Sequence, residues 1–360
     1  MNTLTRYVNR LFLIRLCGAV FAIALFALLF DLLDVSEDLA DEANVLGALA
    51  RYAALRLPGL VSEILPIAAL LAGLFTASEL LRSNELVVMW ASGLSFARIM
   101  WKLLPAGLLL FVLKIANDDA ILPRTVEALR AWGVGSFDAA ALGADMGHLW
   151  VADGHDIVRL PMLSAEVDAD GAVLIFRRDA EGRLVERLTA AAVSFEDDVW
   201  HLSDVDRYEV GSGRLVHIDR LDWPSALPLD RLEAVARPPR ETDLATLIDI
   251  VRHDGYGVTT TEAHRTWLYY RITAALVPML MVFLAFALAH RFVRGGGASR
   301  LFLKGVAIGF SFLIANGLAI ALGEAGLLPP ALAAFGPTSL LALFALGYPV
   351  LIGRRVGAGA

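Results

Sequence analysis

The sequence predicts an α-helical membrane protein with six transmembrane helices and a separate all-β domain. Hydrophobic residues make up 57% of its 360 residues, and the mean hydropathy is +0.62, above the values of ordinary soluble domains. Uncharged apolar runs form two groups, three before and three after a long polar middle. Within that middle, apolar and polar residues alternate in short segments separated by turn dipeptides, which is the pattern of an antiparallel meander or sandwich.

The predicted spans follow from the apolar runs. With its flanks, each run approaches the ~20 residues that cross the hydrocarbon core. We expect the first run to remain as an anchor, because it is too long for a signal peptide and no small-residue cleavage site follows it. The runs are 16–30, 64–78, 103–113, 272–289, 305–323 and 338–353.

These runs divide the chain into four predicted regions. Residues 1–117 carry transmembrane helices one to three, with a short amphipathic helix at about 83–93. Residues 118–240 form the β domain, and 241–266 form a connecting helix capped by Thr242. Residues 267–360 carry helices four to six.

Basic residues predict the orientation. Lys and Arg cluster at both chain ends and in the segments that link spans two to three and four to five, and with six spans all these sites lie on one side, which the positive-inside rule makes cytoplasmic. Both termini are therefore predicted inside and residues 118–266 outside, where 28 acidic residues exceed 15 basic ones. This balance argues against nucleic-acid binding. The basic residues are Arg6, Arg10, Arg15, Arg82, Arg98, Lys102, Arg291, Arg294, Arg300, Lys304, Arg354 and Arg355.

Common enzyme signatures are absent from the sequence. It contains no G-x-x-x-x-G-K-[ST], G-x-S-x-G, H-E-x-x-H or C-x-x-C, and the glycine-rich RGGGAS at 294–299 lacks the lysine and preceding strand of a phosphate loop. His148, His155, His201 and His217 share the β region without metal-ligand spacing. The only cysteine, Cys17, lies in span one, so the outer domain has no disulfide. We therefore expect no catalytic residues, metal or cofactor in this chain.

Charged residues near the predicted outer membrane surface allow two interpretations. Lys114 and Glu63 interrupt apolar segments close to the ends of spans three and two. Either both are anchors whose charged groups reach the interface, where a charge costs little, or Lys114 is part of a site for an anionic lipid headgroup. The second interpretation assigns the headgroup to Lys114, Arg124, Arg51 and Arg56.

The segment SNELVVMWASG, residues 83–93, lies between spans two and three on the predicted cytoplasmic side. Leu86, Met89 and Trp90 share one face at i, i+3, i+4 spacing, Ser83 or Asn84 can cap the helix, and Gly93 can end it. A simple link would need only a few polar residues. We therefore predict a helix whose apolar face docks in a groove of another protein.

At these residues the chain resembles the lipopolysaccharide-export permeases LptF and LptG. The resemblance extends over TRYVNRLFL at the start, ILPIAALLAGLFTASEL in span two, the long β insertion, and GEAGLLPPALAAFGPTSLL before span six. ELVVMWASG and the Pro-Pro pair look closer to LptG. The resemblance implies six membrane helices, a periplasmic domain of the β-jellyroll type, and a location in the Gram-negative inner membrane.

The resemblance also implies specific partners. SNELVVMWASG is similar to the family's coupling helix, which sits in a groove of the cytoplasmic ATPase LptB, and ATP and Mg would be bound by that ATPase. Further implied partners are a homologous permease subunit, single-span LptC, a periplasmic LptA-like jellyroll, and lipopolysaccharide entering between spans one and five of the two subunits. The residues that match the coupling surface are Glu85, Val88, Met89, Ala91, Ser92 and Gly93.

Two features of the resemblance bear on the lipid. Lysines of the family after span one are replaced here by acidic residues, so headgroup recognition would differ, through a bridging divalent cation or other basic residues. The β-domain interior could shelter acyl chains, although ordinary core packing explains the same residues equally well. The acidic residues are Asp31, Asp34, Glu37 and Asp38, and the candidate lining residues are Leu174, Phe176, Val193, Phe195, Trp200 and Leu202.

Two other function classes remain open at this stage. An ion-driven secondary transporter would require carboxylates within the spans facing a cavity, and the runs of spans four to six contain none. A structural membrane scaffold with a periplasmic interaction domain is not excluded by any residue. Co-purification with an ATPase would separate these classes from an exporter.

Overall fold

The computed structural model describes residues 3–40, 44–93, 95–134, 149–153, 155–160, 173–196, 199–223, 238–257, 261–292 and 298–357. His148, the turn at Asp170-Gly171 and most of the glycine-rich segment 294–299 lie outside these residues. The chain divides into a helical unit, Met1–Thr125 with Arg265–Ala360, and a β unit, Val126–His264.

Six helices among the described residues are long and apolar enough to cross a membrane, which confirms the predicted spans. Each helix is longer than its uncharged run because polar flanks continue the helix at its ends. A short helix, Ser36–Ala40, follows the first. The helices that contain spans one to six are Thr3–Asp34, Val45–Arg82, Phe96–Ala116, Glu262–Phe292, Ala298–Glu324 and Pro330–Gly357.

Span four is the most enclosed helix of the helical unit. Its most apolar stretch is 83% buried, against 11% for span one. Span two packs against it through small side chains, and a Cβ atom added at Gly73 would lie 2.8 Å from the Cβ of Ala285. Glycine lets the two backbones approach because it has no side chain, as is common between membrane helices.

Span one is packed along only part of its length. Val8, Phe12 and Leu16 are buried at helical spacing in the core of the helical unit. Further along the helix, Phe21 and Phe26 are exposed. The N-terminal half of span one is therefore held by this chain, whereas most of its C-terminal half presents apolar side chains outward.

Span three continues beyond the predicted boundary of the helical region. A π-helical segment, Asn117–Ile121, follows Phe96–Ala116 and leads into the helix Leu122–Trp132. The division into units falls after Thr125, so residues 118–125, predicted to open the β domain, lie with the helical unit. The prediction placed this boundary too early because polar residues begin at Asn117 while the helix itself does not end.

The described strands of the β unit form one six-stranded antiparallel sheet, in agreement with the predicted all-β domain. Each strand pairs with its neighbours in the sequence, so the order across the sheet is β1 to β6. The strands are Leu149–Asp153, Asp156–Leu160, Val173–Arg178, Leu184–Glu196, Val199–Glu209 and Arg214–Trp223.

The connecting helix, Leu244–Arg252, contributes to the β-unit core. Ile250 belongs to the same buried cluster as Trp200 and Trp223. The helix begins at Asp243, whose carboxylate accepts a hydrogen bond from the backbone N–H of Thr246, rather than at the predicted Thr242. Burial raises the pKa of Asp243, but hydrogen bonds from Thr246 and from the backbone N–H groups of Asp243 and Ala245 together outweigh burial and lower it. An ionised carboxylate suits a helix N-terminus.

His217 on β6 is surrounded by carboxylates on the sheet surface. Its Nδ1 lies 3.0 Å from Asp206 Oδ1, and its Nε2 lies 3.3 Å from Asp204 Oδ1 and 3.7 Å from Asp219 Oδ1. The hydrogen bond with Asp206, and then the charges of these neighbours, raise the pKa of His217 above its ordinary value. Through Asp204 and Asp206, the His217 ring links β6 to β5.

We expect Gly73→Val to destabilise the helical unit by about 1–3 kcal/mol, the usual cost of overpacking a core. The added side chain would meet Ala285, whereas a Cβ at Gly317 would meet nothing within 4 Å. Thermal unfolding midpoints in detergent test this expectation, with Gly317→Val as the matched control. Equal midpoints for the two variants would contradict the close approach of spans two and four.

We expect the His217 cluster to make the β unit more stable at mildly acidic pH. Because the folded-state pKa is raised, its contribution is complete below the unfolded value of about 6.5 and is lost as pH rises through the folded value. The sheet's thermal midpoint, measured across this range, should depend less on pH in His217→Gln. His155→Gln is the control, and an unchanged profile in His217→Gln would count against the cluster.

Candidate functional site

The helix Glu85–Ala91 lies in the connection between spans two and three. Span two ends at Arg82, and Asn84 has a φ of 61°, a left-handed conformation that asparagine tolerates better than most residues. Gly93, with a φ of 83°, turns the chain out of the helix. Ser95 then caps span three by accepting a hydrogen bond from the backbone N–H of Arg98. These turns fix the short helix as a separate element.

One side of the short helix is buried in this chain. Leu86 and Met89, one turn apart, are 1% and 8% exposed and belong to the main core of the helical unit. The sequence predicted that this apolar face docks in a partner protein, and Met89 was one of the residues that matched the coupling surface. The burial of Leu86 and Met89 corrects that prediction. The side chain of Trp90, predicted on the same face, is outside the described part of the structure.

The other side of the short helix is open. Val88 is 65% exposed, and Ala91, Ser92 and Gly93 are exposed as well. The Ser92 hydroxyl donates to the carbonyl of Met89 at 2.8 Å. The exposed surface is therefore small and largely apolar, and we call these four residues the open face.

Glu85 lies at the first turn of the short helix, where a negative charge is favoured by the helix dipole. Its Oε1 accepts a hydrogen bond from the Tyr7 hydroxyl of span one at 3.2 Å. Further along span one, Arg15 pairs with Glu79 of span two at 3.2 Å. The carboxylate next to the open face is thus joined to span one.

Lys114 is enclosed within the helical unit, whereas both sequence interpretations expected an exposed ammonium group. It is 6% exposed, its Nζ donates to Ser62 Oγ at 2.5 Å, and it forms an ion pair with Asp118. Arg271 of span four donates to the Asp118 carbonyl at 3.0 Å. The ammonium group is compensated inside the bundle, which corrects both the anchor and the headgroup assignments.

A cavity lies beside Lys114, among spans one, two and three. Its volume is about 200 Å³, and its walls are mainly leucine and valine side chains. Ser62 and Asn117 also line it. The cavity is therefore largely apolar, and Lys114, whose charge is paired with Asp118, is one of its few polar lining residues.

The other predicted headgroup residues are spread along the helices. Arg56 pairs with Asp31 at the end of span one, so part of the acidic segment serves to neutralise this chain's own arginine. Arg51 and Arg124 are exposed. Lys114 is paired with Asp118 and Arg56 with Asp31, so both cationic groups have carboxylate partners within this chain.

The predicted lining residues of the β unit differ in burial. Trp200 is 1% exposed in the core of the sheet, with its ring centroid 6.2 Å from that of Trp223. Phe176 is half-buried on β3, and the side chain of Phe195 is outside the described residues. For Trp200, ordinary core packing accounts for the position.

Sequence reasoning missed several polar residues inside the helical unit. Asp118 follows Lys114 at i, i+4 spacing, which is a signal of an ion pair on one helix face. Asn9 stands in an apolar helix and is 6% exposed. Its amide bonds to span three, for which the local sequence gives no signal. Among the described residues, no group of three or more His, Cys, Asp or Glu could hold a metal ion.

Comparisons with known proteins give consistent results. The model of the family "Lipopolysaccharide export system permease LptF/LptG" matches residues 6–349. The LptG permease protein of Haemophilus influenzae is 22% identical over 88% of this chain and 89% of its own length. LptG of Escherichia coli K12 is 23% identical over 84% of this chain and 85% of its own length.

We expect the Lys114–Asp118 pair to behave as a buried ion pair. Asp118→Leu leaves the ammonium group unpaired and should destabilise the protein by about 3–5 kcal/mol. The double variant Lys114→Met with Asp118→Leu removes both charges and should recover most of that loss. The free energy of unfolding in detergent, measured for the parent, the single variant and the double variant, tests this expectation. A double variant as unstable as Asp118→Leu alone would show that the pairing is not the cause.

Proposed function

The chain belongs to the LptF/LptG family and is a permease for lipopolysaccharide export, and from this premise we propose that its short helix couples the membrane body to a separate ATPase. The ATPase would be LptB, which would bind the ATP and Mg that this chain has no motif to bind. The chain would then be a half-transporter in the inner membrane, with both termini in the cytoplasm and the β unit in the periplasm.

The observation that carries this proposal is the two-sided burial of the short helix. Leu86 and Met89 are embedded in the core of the helical unit, while Val88 and its neighbours on the open face are exposed. A partner that pushes the open face therefore moves a helix whose other side is packed in the membrane body. Because packed interiors are dense and transmit displacement, this arrangement suits a mechanical coupling element.

The proposed transport cycle uses the exposed part of span one. This chain would pair with a homologous permease subunit, and lipopolysaccharide would enter from the outer leaflet between span one of one subunit and span five of the other. Both helices expose many apolar side chains: 11% of the most apolar stretch of span one and 22% of that of span five are buried. Such surfaces favour contact with acyl chains or with a second subunit.

The β unit would receive the lipid and pass it to periplasmic partners. A single-span LptC and an LptA-like jellyroll would continue the route. Acyl chains in water cost about 0.8 kcal/mol per exposed methylene, so a continuous apolar path is needed. Half-buried residues such as Phe176 are better placed for that contact than the enclosed Trp200.

We expect Val88→Glu to weaken binding of the ATPase at least about tenfold, which corresponds to about 1.4 kcal/mol. The reason is that a carboxylate on the open face would be buried in an apolar contact without a partner. Affinity for the purified ATPase, measured with the chain in nanodiscs, tests the expectation. The matched control is Leu327→Glu, since Leu327 is also an exposed apolar residue, 72% exposed, but lies between spans five and six.

Two outcomes would contradict the proposal. Equal ATPase affinity in Val88→Glu, Leu327→Glu and the parent would exclude the open face as the docking surface. Failure of the parent itself to bind the ATPase together with a companion permease would remove the proposed energy source.

A further inference from the structure

Asn9 makes an unusual set of hydrogen bonds between span one and span three. Its Nδ2 donates to the carbonyl of Lys102 at 2.6 Å, and its Oδ1 accepts from the backbone N–H of Ala106 at 3.0 Å. Nδ2 also donates to the carbonyl of Thr5, on its own helix, at 2.7 Å. One buried side-chain amide thus binds two backbone groups of a different membrane helix.

The two backbone groups that Asn9 binds belong to one turn of span three. In an α-helix, the N–H of residue 106 and the carbonyl of residue 102 are each other's i→i−4 partners. Pro105, in the same turn, has no N–H and so leaves the preceding turn short of a hydrogen bond. A polar side chain that enters the ladder next to a proline stabilises the altered turn.

The Asn9 contact lies near the short helix. Two residues before Asn9, Tyr7 donates to Glu85, and six residues after it, Arg15 pairs with Glu79 at the end of span two. The same half of span one therefore carries contacts to span two, to the short helix and to span three. Among them, the Asn9 contact has the least exposed side chain, which is 6% exposed.

We infer that Asn9 is a positioning residue that makes span one follow the movement of the short helix. The inference rests on the proposed function, in which the short helix receives force from an ATPase. Asn9 holds span one to the second turn of span three, 102–106, and span three is the helix that follows the short helix in the chain. Displacement of that turn then rotates or shifts span one, and the C-terminal half of span one lines the proposed entry path for lipopolysaccharide. Without the amide, the turn could move while span one stayed behind.

The structure provides a probe for this contact in Cys17. It is the only cysteine of the chain, and it is exposed on span one. Eight residues separate it from Asn9, about 12 Å along the helix. A nitroxide attached to Cys17 reports the mobility of span one without any engineered site and without transport.

The principal variant is Asn9→Ala, with Asn316→Ala as the matched control. Asn316 is also a buried amide in a membrane helix, and its Nδ2 donates to the Tyr270 hydroxyl, a contact between spans five and four. If Asn9→Ala does not fold, Asn9→Ser replaces it. A serine hydroxyl can bind the carbonyl four residues earlier on its own helix but is too short to reach span three.

We expect the Asn9 variant to increase nitroxide mobility at Cys17, while Asn316→Ala leaves it unchanged. In nanodiscs with the companion permease, the ATPase and lipopolysaccharide, we expect ATP hydrolysis to stay within about twofold of the parent. Lipopolysaccharide released per ATP should fall about tenfold, which corresponds to about 1.4 kcal/mol of lost coupling. A general loss of stability would instead reduce hydrolysis and release together.

Two results would overturn the inference about Asn9. One is an unchanged spectrum at Cys17 in both Asn9 variants, and the other is an unchanged ratio of lipid released to ATP hydrolysed. If the parent complex hydrolyses ATP but releases no lipopolysaccharide, the proposed function fails. The nitroxide comparison still decides whether Asn9 holds span one.

Discussion

The structure of the helical unit depends on polar groups being paired inside it. A polar atom that is buried between helices has lost its contact with water, so it needs a partner from the protein. Lys114 is paired with Asp118, Arg56 with Asp31, and the Asn9 amide with the backbone of span three. These pairings join different helices or different turns, so they also determine which segments move together. The apolar side chains around these pairs stabilise the packing of the helices, but apolar contacts are non-directional and do not fix which turns face each other.

Core packing and a hydrogen bond fix the position of the short helix relative to span one. Leu86 and Met89 attach the short helix to the core, and Glu85 receives the Tyr7 hydroxyl. Span one is packed along its first half, and most of the large apolar side chains of its second half are exposed. Its C-terminal end is held again, by the ion pair of Asp31 with Arg56 of span two.

The sequence predicted the elements better than their contacts. Six spans were predictable because run length and charge are local properties, and the sheet was predictable because alternation is visible within each strand. The side of the short helix that faces the core was not, since periodicity shows that one face is apolar but not what covers it. Lys114 was assigned to the interface from its depth alone, although Asp118 one turn later was the better guide. Asn9 bonds to residues more than ninety positions away, and no local pattern reports such a contact.

The π-helical segment Asn117–Ile121 has a consequence for how members of this family are compared. A turn closed by i→i+5 hydrogen bonds contains one residue more than an α-helical turn. Relatives with and without this wide turn would differ by a single inserted residue inside a membrane helix, where insertions are otherwise rarely accommodated. An alignment that forbids gaps in spans would then shift every position after Ile121 by about 100° around the helix axis, and would assign the side chains of Leu122–Trp132 to the wrong faces.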